Sequence, residues 1–267
     1  MKPLDSLPAE HVSTVFTDID DTLTTAGKLD ARAYAALQAL QRAGLRVIPV
    51  TGRPAGWCDH IARMWPVDAV IGENGAFYMW HEAATNKLTT RHLLSEPIRA
   101  HNALRLQQVQ AQILRDVPGC AISSDQFCRR YDLAVDYCED VAPLARAQVD
   151  RIVAIMEQAG MTAKISSIHV NGWFGSYDKL SMAQLLMQER YGVELDDAQQ
   201  RQRCVFVGDS PNDMPMFAYF PLSVGVANVL AFRDRLPQPP HYITQQACGA
   251  GFEELVQHLL AARDQAA

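Results

Sequence analysis

One short run restricts the fold more than any other. Val12 to Thr17 is mostly β-branched and aromatic, and it empties directly into Asp18, Asp20 and Asp21. A run without polar alternation suits a strand buried on both faces inside a parallel sheet. The segments that follow keep a strand–helix rhythm. Asp30 can cap a helix with Ala33, Leu37, Leu40 and Ala43 on one face, and Gly44 can end it. Leu45 to Val50 reads as a second strand, with Pro49 among its last residues because proline gives the ladder no N–H. Pro54 opens another helix (Trp57, Ile61 and Met64 on one face), and Ala69 to Ile71 is a third strand ending at Gly72-Glu73-Asn74-Gly75. Alternation of this kind implies a parallel sheet with right-handed crossovers.

The far end of the chain resumes the pattern. Lys179 to Tyr191 is helical and stopped by Gly192, Cys204 to Val207 is a buried-type strand, and Leu222 to Val226 is another. Phe252, Leu255, Val256, Leu259 and Leu260 form the stripe of a closing helix. The middle differs. Amphipathic helices over Pro97–Arg115 and Pro143–Ala159 are each followed by strand-like sequence, Cys120 to Tyr137 and Met161 to Val170. The chain therefore reads as α/β: a Rossmann-like parallel-sheet core from residues 1–82 and 175–267, with an α+β domain inserted at 83–174.

Composition excludes several classes. With 267 residues, 48% of them hydrophobic and 20% charged, the chain can bury a full core and is not disordered. A net charge of -6 without basic runs argues against nucleic acid as a partner. No apolar run is long enough for a membrane helix, and the first residues lack the apolar stretch of a signal peptide, so a cytoplasmic protein is expected. Six cysteines without a C-x-x-C pair read as free thiols, and eight histidines lack zinc spacing.

The acidic run Asp18-Ile19-Asp20-Asp21-Thr22 falls at the carboxyl end of a strand, where open α/β folds place their ligands. Crowded carboxylates repel one another. They suit a metal site with a carboxylate nucleophile beside a carboxylic acid, or else an acidic turn with Asx-type hydrogen bonds. Gly208-Asp209-Ser210-Pro211-Asn212-Asp213 is a second acidic turn after a second buried strand. Asp209 and Asp213 are hard oxygen donors suited to Mg²⁺, Asn212 can donate to a phosphate oxygen, and a helix cap before Pro211 is the plainer reading. Thr51-Gly52-Arg53-Pro54 could form an anion site at a helix N-terminus or a simple cap. Lys179 could supply a fixed positive charge.

Taken in this order, the four segments resemble the haloacid dehalogenase superfamily of phosphohydrolases. Its nucleophile motif D-x-D-x-T matches Asp18, Asp20 and Thr22; its Ser/Thr, lysine and acidic motifs match Thr51, Lys179 and Gly208 to Asp213. Glu73-Asn74-Gly75-Ala76 looks like the N-G-A turn of the type IIB branch, whose cap is inserted where the odd middle segment lies. Asp21 departs from the glycine most often found there. The resemblance implies a Mg²⁺-dependent phosphatase of small phosphomonoesters, sugar phosphates in particular. Asp18 would be the nucleophile and Asp20 the acid and base. Asp18, Asp209 and the backbone carbonyl of Asp20 would hold the metal, with Asp213 supporting the shell. Thr51, Gly52, Arg53, Asn74, Lys179 and Asn212 would surround the phosphate. Within the insert, Lys164, Ser167, His169 or Asn171 could touch substrate. A phosphomannomutase-like phosphotransferase and a non-catalytic receiver-like module phosphorylated at Asp18 are the alternatives.

Overall fold

Parallel pairing accounts for most of the architecture. The computed structural model describes residues 1–166 and 168–266, so Ser167 lies outside the described residues. Six parallel strands form the main sheet, in the order Lys2–Pro3, Tyr242–Ile243, Leu222–Gly225, Cys204–Gly208, Thr14–Thr17 and Arg46–Pro49. Thr14–Thr17 is buried at every position, as an inner strand covered on both faces must be. Pro49 is the last residue of its strand, where a missing N–H costs the ladder nothing. Beyond it, Val50 bridges to Ile71 in parallel. Val70–Gly72 then turns back antiparallel through Phe77–Glu82, with Lys87–His92 completing that sheet. This hairpin has no counterpart in the sequence reading, because its second strand, Lys-Leu-Thr-Thr-Arg-His, is largely polar.

Helices cover the sheet through their apolar stripes. Ala33, Leu37 and Leu40 of Ala31–Arg42 are buried, and that helix packs on the closing helix Cys248–Ala266. Asp30 occupies the N-cap position but makes no capping bond; its Oδ2 accepts from Thr25 Oγ1 instead.

Two compact units are present. The first comprises Met1–Gly52, Cys58–Arg91 and Asp178–Ala267, and carries the parallel sheet. The second comprises Arg53–Trp57 and His92–Tyr177. Its four-stranded antiparallel sheet runs Thr162–Ile165, His169–Trp173, Asp132–Asp136, Ala121–Ile122. The helices Glu96–Asp116 and Arg146–Gln158 bury Val109, Ile113, Ile152 and Met156 with Leu133, Val135 and Val170 of this sheet. Period two then places Asp132, Asp136, His169 and Asn171 on the other sheet face. The strand-like stretch from Cys120 to Tyr137 is in fact broken by the turn Gln126–Cys128. Gln126 explains how the break is tolerated: its amide donates to Asp132 O and accepts from Ala134 N, replacing a neighbouring strand. The second long helix starts at Arg146 and not at Pro143, since Leu144 N–H is drawn to Tyr137 O.

Candidate active site

Strand register brings the motifs level. Thr17 pairs with Val207 on one side and Pro49 on the other, so Asp18, the Gly208–Asp209 turn and Thr51 all leave the sheet at one edge. Backbone bonds fix the three exits: Asp18 N–H donates to Val207 O, Val50 N–H to Thr17 O, and Thr51 N–H to Ile71 O.

Lys179 opens the helix Lys179–Tyr191, which Asp178 caps by accepting from Ser181 N–H. Its Nζ donates to Asp18 Oδ1 at 2.7 Å and to Asp213 Oδ1 at 2.8 Å. Asp209 completes the group, and the carboxylate oxygens of Asp18, Asp209 and Asp213 lie within 4.8 Å of one another. All four side chains are buried: Lys179, Asp18 and Asp209 are each 4% exposed and Asp213 is 0%.

Two glycines make this approach possible. At Gly75 (φ +106) a Cβ would sit 2.1 Å from Asp178 O, so only glycine lets the Glu73–Gly75 turn abut the backbone that carries Lys179. At Gly208 a Cβ would lie 2.4 Å from Asp213 Oδ2, where the Asp213 carboxylate folds back to accept from Asp209 N–H.

The electrostatics follow from burial. Desolvation raises Asp18 to about 7, helped by the charges of Asp213 and Asp20 and opposed by Lys179. Desolvation likewise raises Asp209 to about 9, with Asp18, Asp213 and Asp21 adding to it. Burial alone would lower Lys179, but Asp18 and Asp213 hold it above its usual value, so it stays an ammonium. Three carboxylates against one ammonium leave a formal charge of −2 in a desolvated spot. Hard carboxylate oxygens at this spacing, short of two positive charges, fit Mg²⁺ in donor chemistry and in charge.

Not every candidate joins the cluster. Asp20 is half-buried and outside the three-carboxylate group, although its charge acts on Asp18. Thr51 is fully buried at the sheet edge and its carbonyl accepts from Asn74 N–H. Asn74, in a left-handed conformation, lays its amide over Gly52. Asn212 Oδ1 accepts from Ser210 Oγ. Arg53 and His169 belong to the second unit. Arg53 stacks on Trp57 at 4.4 Å from the ring centroid, and His169 Nε2 lies 2.8 Å from Glu139 Oε2. Two contacts escaped the sequence reading. Thr22 Oγ1 donates to Asp209 Oδ1 at 3.3 Å, and the Asn228 amide reaches both Asp21 and Asp209. Thr22 was legible as a motif position; Asn228 had no signal.

Fold and site together define a Rossmann-like α/β protein with an acid–lysine cluster at the carboxyl edge of its sheet. Residues 15–120 match the family model of the haloacid dehalogenase-like hydrolases. Among curated proteins none matches it in sequence. Solved structures share the fold. A Thermoplasma acidophilum protein is 18% identical with a TM-score of 0.70, covering 93% of this chain and 98% of its own. The sucrose-phosphatase of Synechocystis, solved with sucrose and phosphate, is 17% identical with a TM-score of 0.64, covering 94% and 98%. A sugar phosphatase of HAD subclass IIB is 13% identical with a TM-score of 0.62, covering 94% and 100%. No helix among the described residues is long and apolar enough to cross a membrane.

Proposed function

We propose that the protein is a Mg²⁺-dependent phosphatase of small phosphomonoesters, with sugar phosphates as the favoured class. The observation that carries this reading is the Lys179 ammonium held between Asp18 and Asp213, beside Asp209, in a cluster short of two positive charges. A bound Mg²⁺, held by Asp18, Asp209 and the Asp20 carbonyl with Asp213 in support, supplies counter-charge to the phosphate oxygens. The remaining chemistry belongs to the chain. Asp18 attacks phosphorus and the ester P–O bond breaks. Asp20 gives its proton to the leaving alkoxide, then takes one from the water that cleaves the acyl phosphate, so the Asp18 carboxylate and the Asp20 acid are regenerated and inorganic phosphate is released. Lys179 keeps the Asp18 carboxylate aimed and neutralises the anion that builds up. Thr51 and the N–H groups near Gly52, together with Asn74 and Asn212, surround the phosphate.

The second unit is read as the module that selects the leaving group, with the insert spanning 83–174. Its polar sheet face carries Asp132, Asn171 and His169, the kinds of side chain that bind hydroxyls. Likeness to the two sugar phosphatases supports this substrate class. The working compartment we infer is the cytoplasm, where both Mg²⁺ and small phosphate esters occur. The test is phosphate release from a panel of sugar phosphates, with Mg²⁺ and with EDTA, for the parent and Asp18→Asn. The expected result is Mg²⁺-dependent turnover that Asp18→Asn abolishes. Isomer formation without phosphate release would replace hydrolysis by phosphoryl transfer, and turnover by Asp18→Asn would end the nucleophile assignment.

A further inference from the structure

We infer that Asn228 is a positioning residue for the cation site, acting through the turn that carries Asp20 and Asp21. The inference rests on the proposed role of Asp209 as a ligand. Asn228 Nδ2 donates to the Asp21 carbonyl at 2.9 Å and lies 3.4 Å from Asp209 Oδ2. Its Oδ1 accepts from Cys248 N–H at 2.9 Å, at the start of the closing helix. The chemistry of these partners fixes the amide: a backbone carbonyl can only accept and a backbone N–H can only donate, so the flipped orientation loses both bonds.

Asp21 explains why such a clamp is needed. It stands at φ +55, in the left-handed region, where glycine would be unstrained and aspartate is not. Thr24 Oγ1 accepts from Asp21 N–H and Asn228 donates to Asp21 O, so the strained peptide units are held from both sides. The turn they define carries Asp20 and is tied to Asp209 by Thr22 on one carboxylate oxygen and Asn228 on the other. Asn228 thus couples nucleophile turn, acidic turn and closing helix through one side chain that need not touch substrate.

The test is calorimetric titration of Mg²⁺ into the metal-free full-length protein. Asn228→Ala is expected to raise the Mg²⁺ dissociation constant about tenfold or more with secondary structure unchanged by circular dichroism. In an Asp21→Gly background, where the left-handed turn needs no clamp, the same substitution is expected to raise it less than about threefold. Should the alanine variant not fold, Asn228→Ser is compared in the same two backgrounds. A dissociation constant within about twofold of the parent, or an equal loss in both backgrounds, overturns the role of Asn228. A parent that binds no Mg²⁺ overturns the reading of the site itself, and the role of Asn228 with it.

Discussion

Removing the carboxylate at position 18 should stabilise the metal-free protein. Asp18 is held at about 7 from an ordinary 3.8, chiefly by burial. A carboxyl raised in the folded state adds stability that is fully present below its unfolded value and is lost as the pH climbs through its folded one. Between pH 3.8 and about 7 the ionisation of Asp18 therefore turns progressively against the fold. At pH 8 the cost reaches about 4 kcal/mol as an upper bound, since one pKa step corresponds to about 1.4 kcal/mol. Asparagine keeps the shape, keeps an oxygen for Lys179 Nζ, and carries no charge towards Asp213 or Asp209. Water admitted to the cleft screens part of the effect, and half of the bound, about 2 kcal/mol, is a Tm increase of roughly 4–8 °C for a chain of this size. The assay is thermal unfolding at pH 5 and pH 8, in EDTA and in saturating Mg²⁺. The gain of Asp18→Asn should be large at pH 8 in EDTA, shrink at pH 5, and shrink again in Mg²⁺, which stabilises the parent more than the variant. An Asp18→Asn protein less stable than the parent at pH 8 in EDTA would refute the reasoning, as would a gain independent of pH.

Lys179→Met should act in the opposite direction. It leaves three buried carboxylates without their ammonium, a loss of about 3–5 kcal/mol and a Tm fall of roughly 6–20 °C; an unchanged melting curve in EDTA would rule out the cluster as drawn. In the second unit, the Asp136 carboxylate accepts from the N–H groups of Cys138, Glu139 and Asp140. Burial pushes this acid up, but those bonds and the His169 charge bring it below its ordinary value, so its stabilisation is present above about pH 4 and lost as the pH falls further. Asp136→Asn should lower stability by about 1–2 kcal/mol at pH 7 and flatten the decline between pH 5 and 3; equal urea midpoints for parent and variant at both pH values would count against it.

Much of this was legible in sequence because the decisive elements are locally self-sufficient. Val12 to Thr17 and Cys204 to Val207 could be read as inner strands from their β-branched and aromatic character without polar alternation, and each runs into an acid within two residues, Asp18 and Asp209. Once two such strands are parallel neighbours, Asp18 and Asp209 cannot be far apart. The hairpin Phe77–Glu82/Lys87–His92 was hidden because Lys87–His92 is fully buried at no position and lacks an apolar face. The break after Ile122 was hidden for another reason: Gln126 replaces ladder bonds with side-chain bonds, which periodicity does not register. Gly75 was visible as part of a turn, but its closeness to Asp178 depends on a contact 103 positions away in the chain. Asn228 is the extreme case, an ordinary polar residue after a strand, given meaning only by three partners from distant segments.

The cluster also bears on what kind of protein this is. Buried ion groups of this sort are a poor way to hold a fold together, since apolar residues of similar size often do better. Here the arrangement goes further: the ammonium is shared by two carboxylates, and the third, Asp209, is left to rise to about 9. Glycines at 75 and 208 remove the Cβ atoms that would keep these groups apart, so the backbone has the shape that allows the unfavourable contact. A structural role would call for fewer acids or a second lysine. A site for a divalent cation calls for this charge state, because the cation would supply the two positive charges that the three carboxylates and one ammonium lack. The instability of the metal-free cluster and its chemical competence thus have one cause.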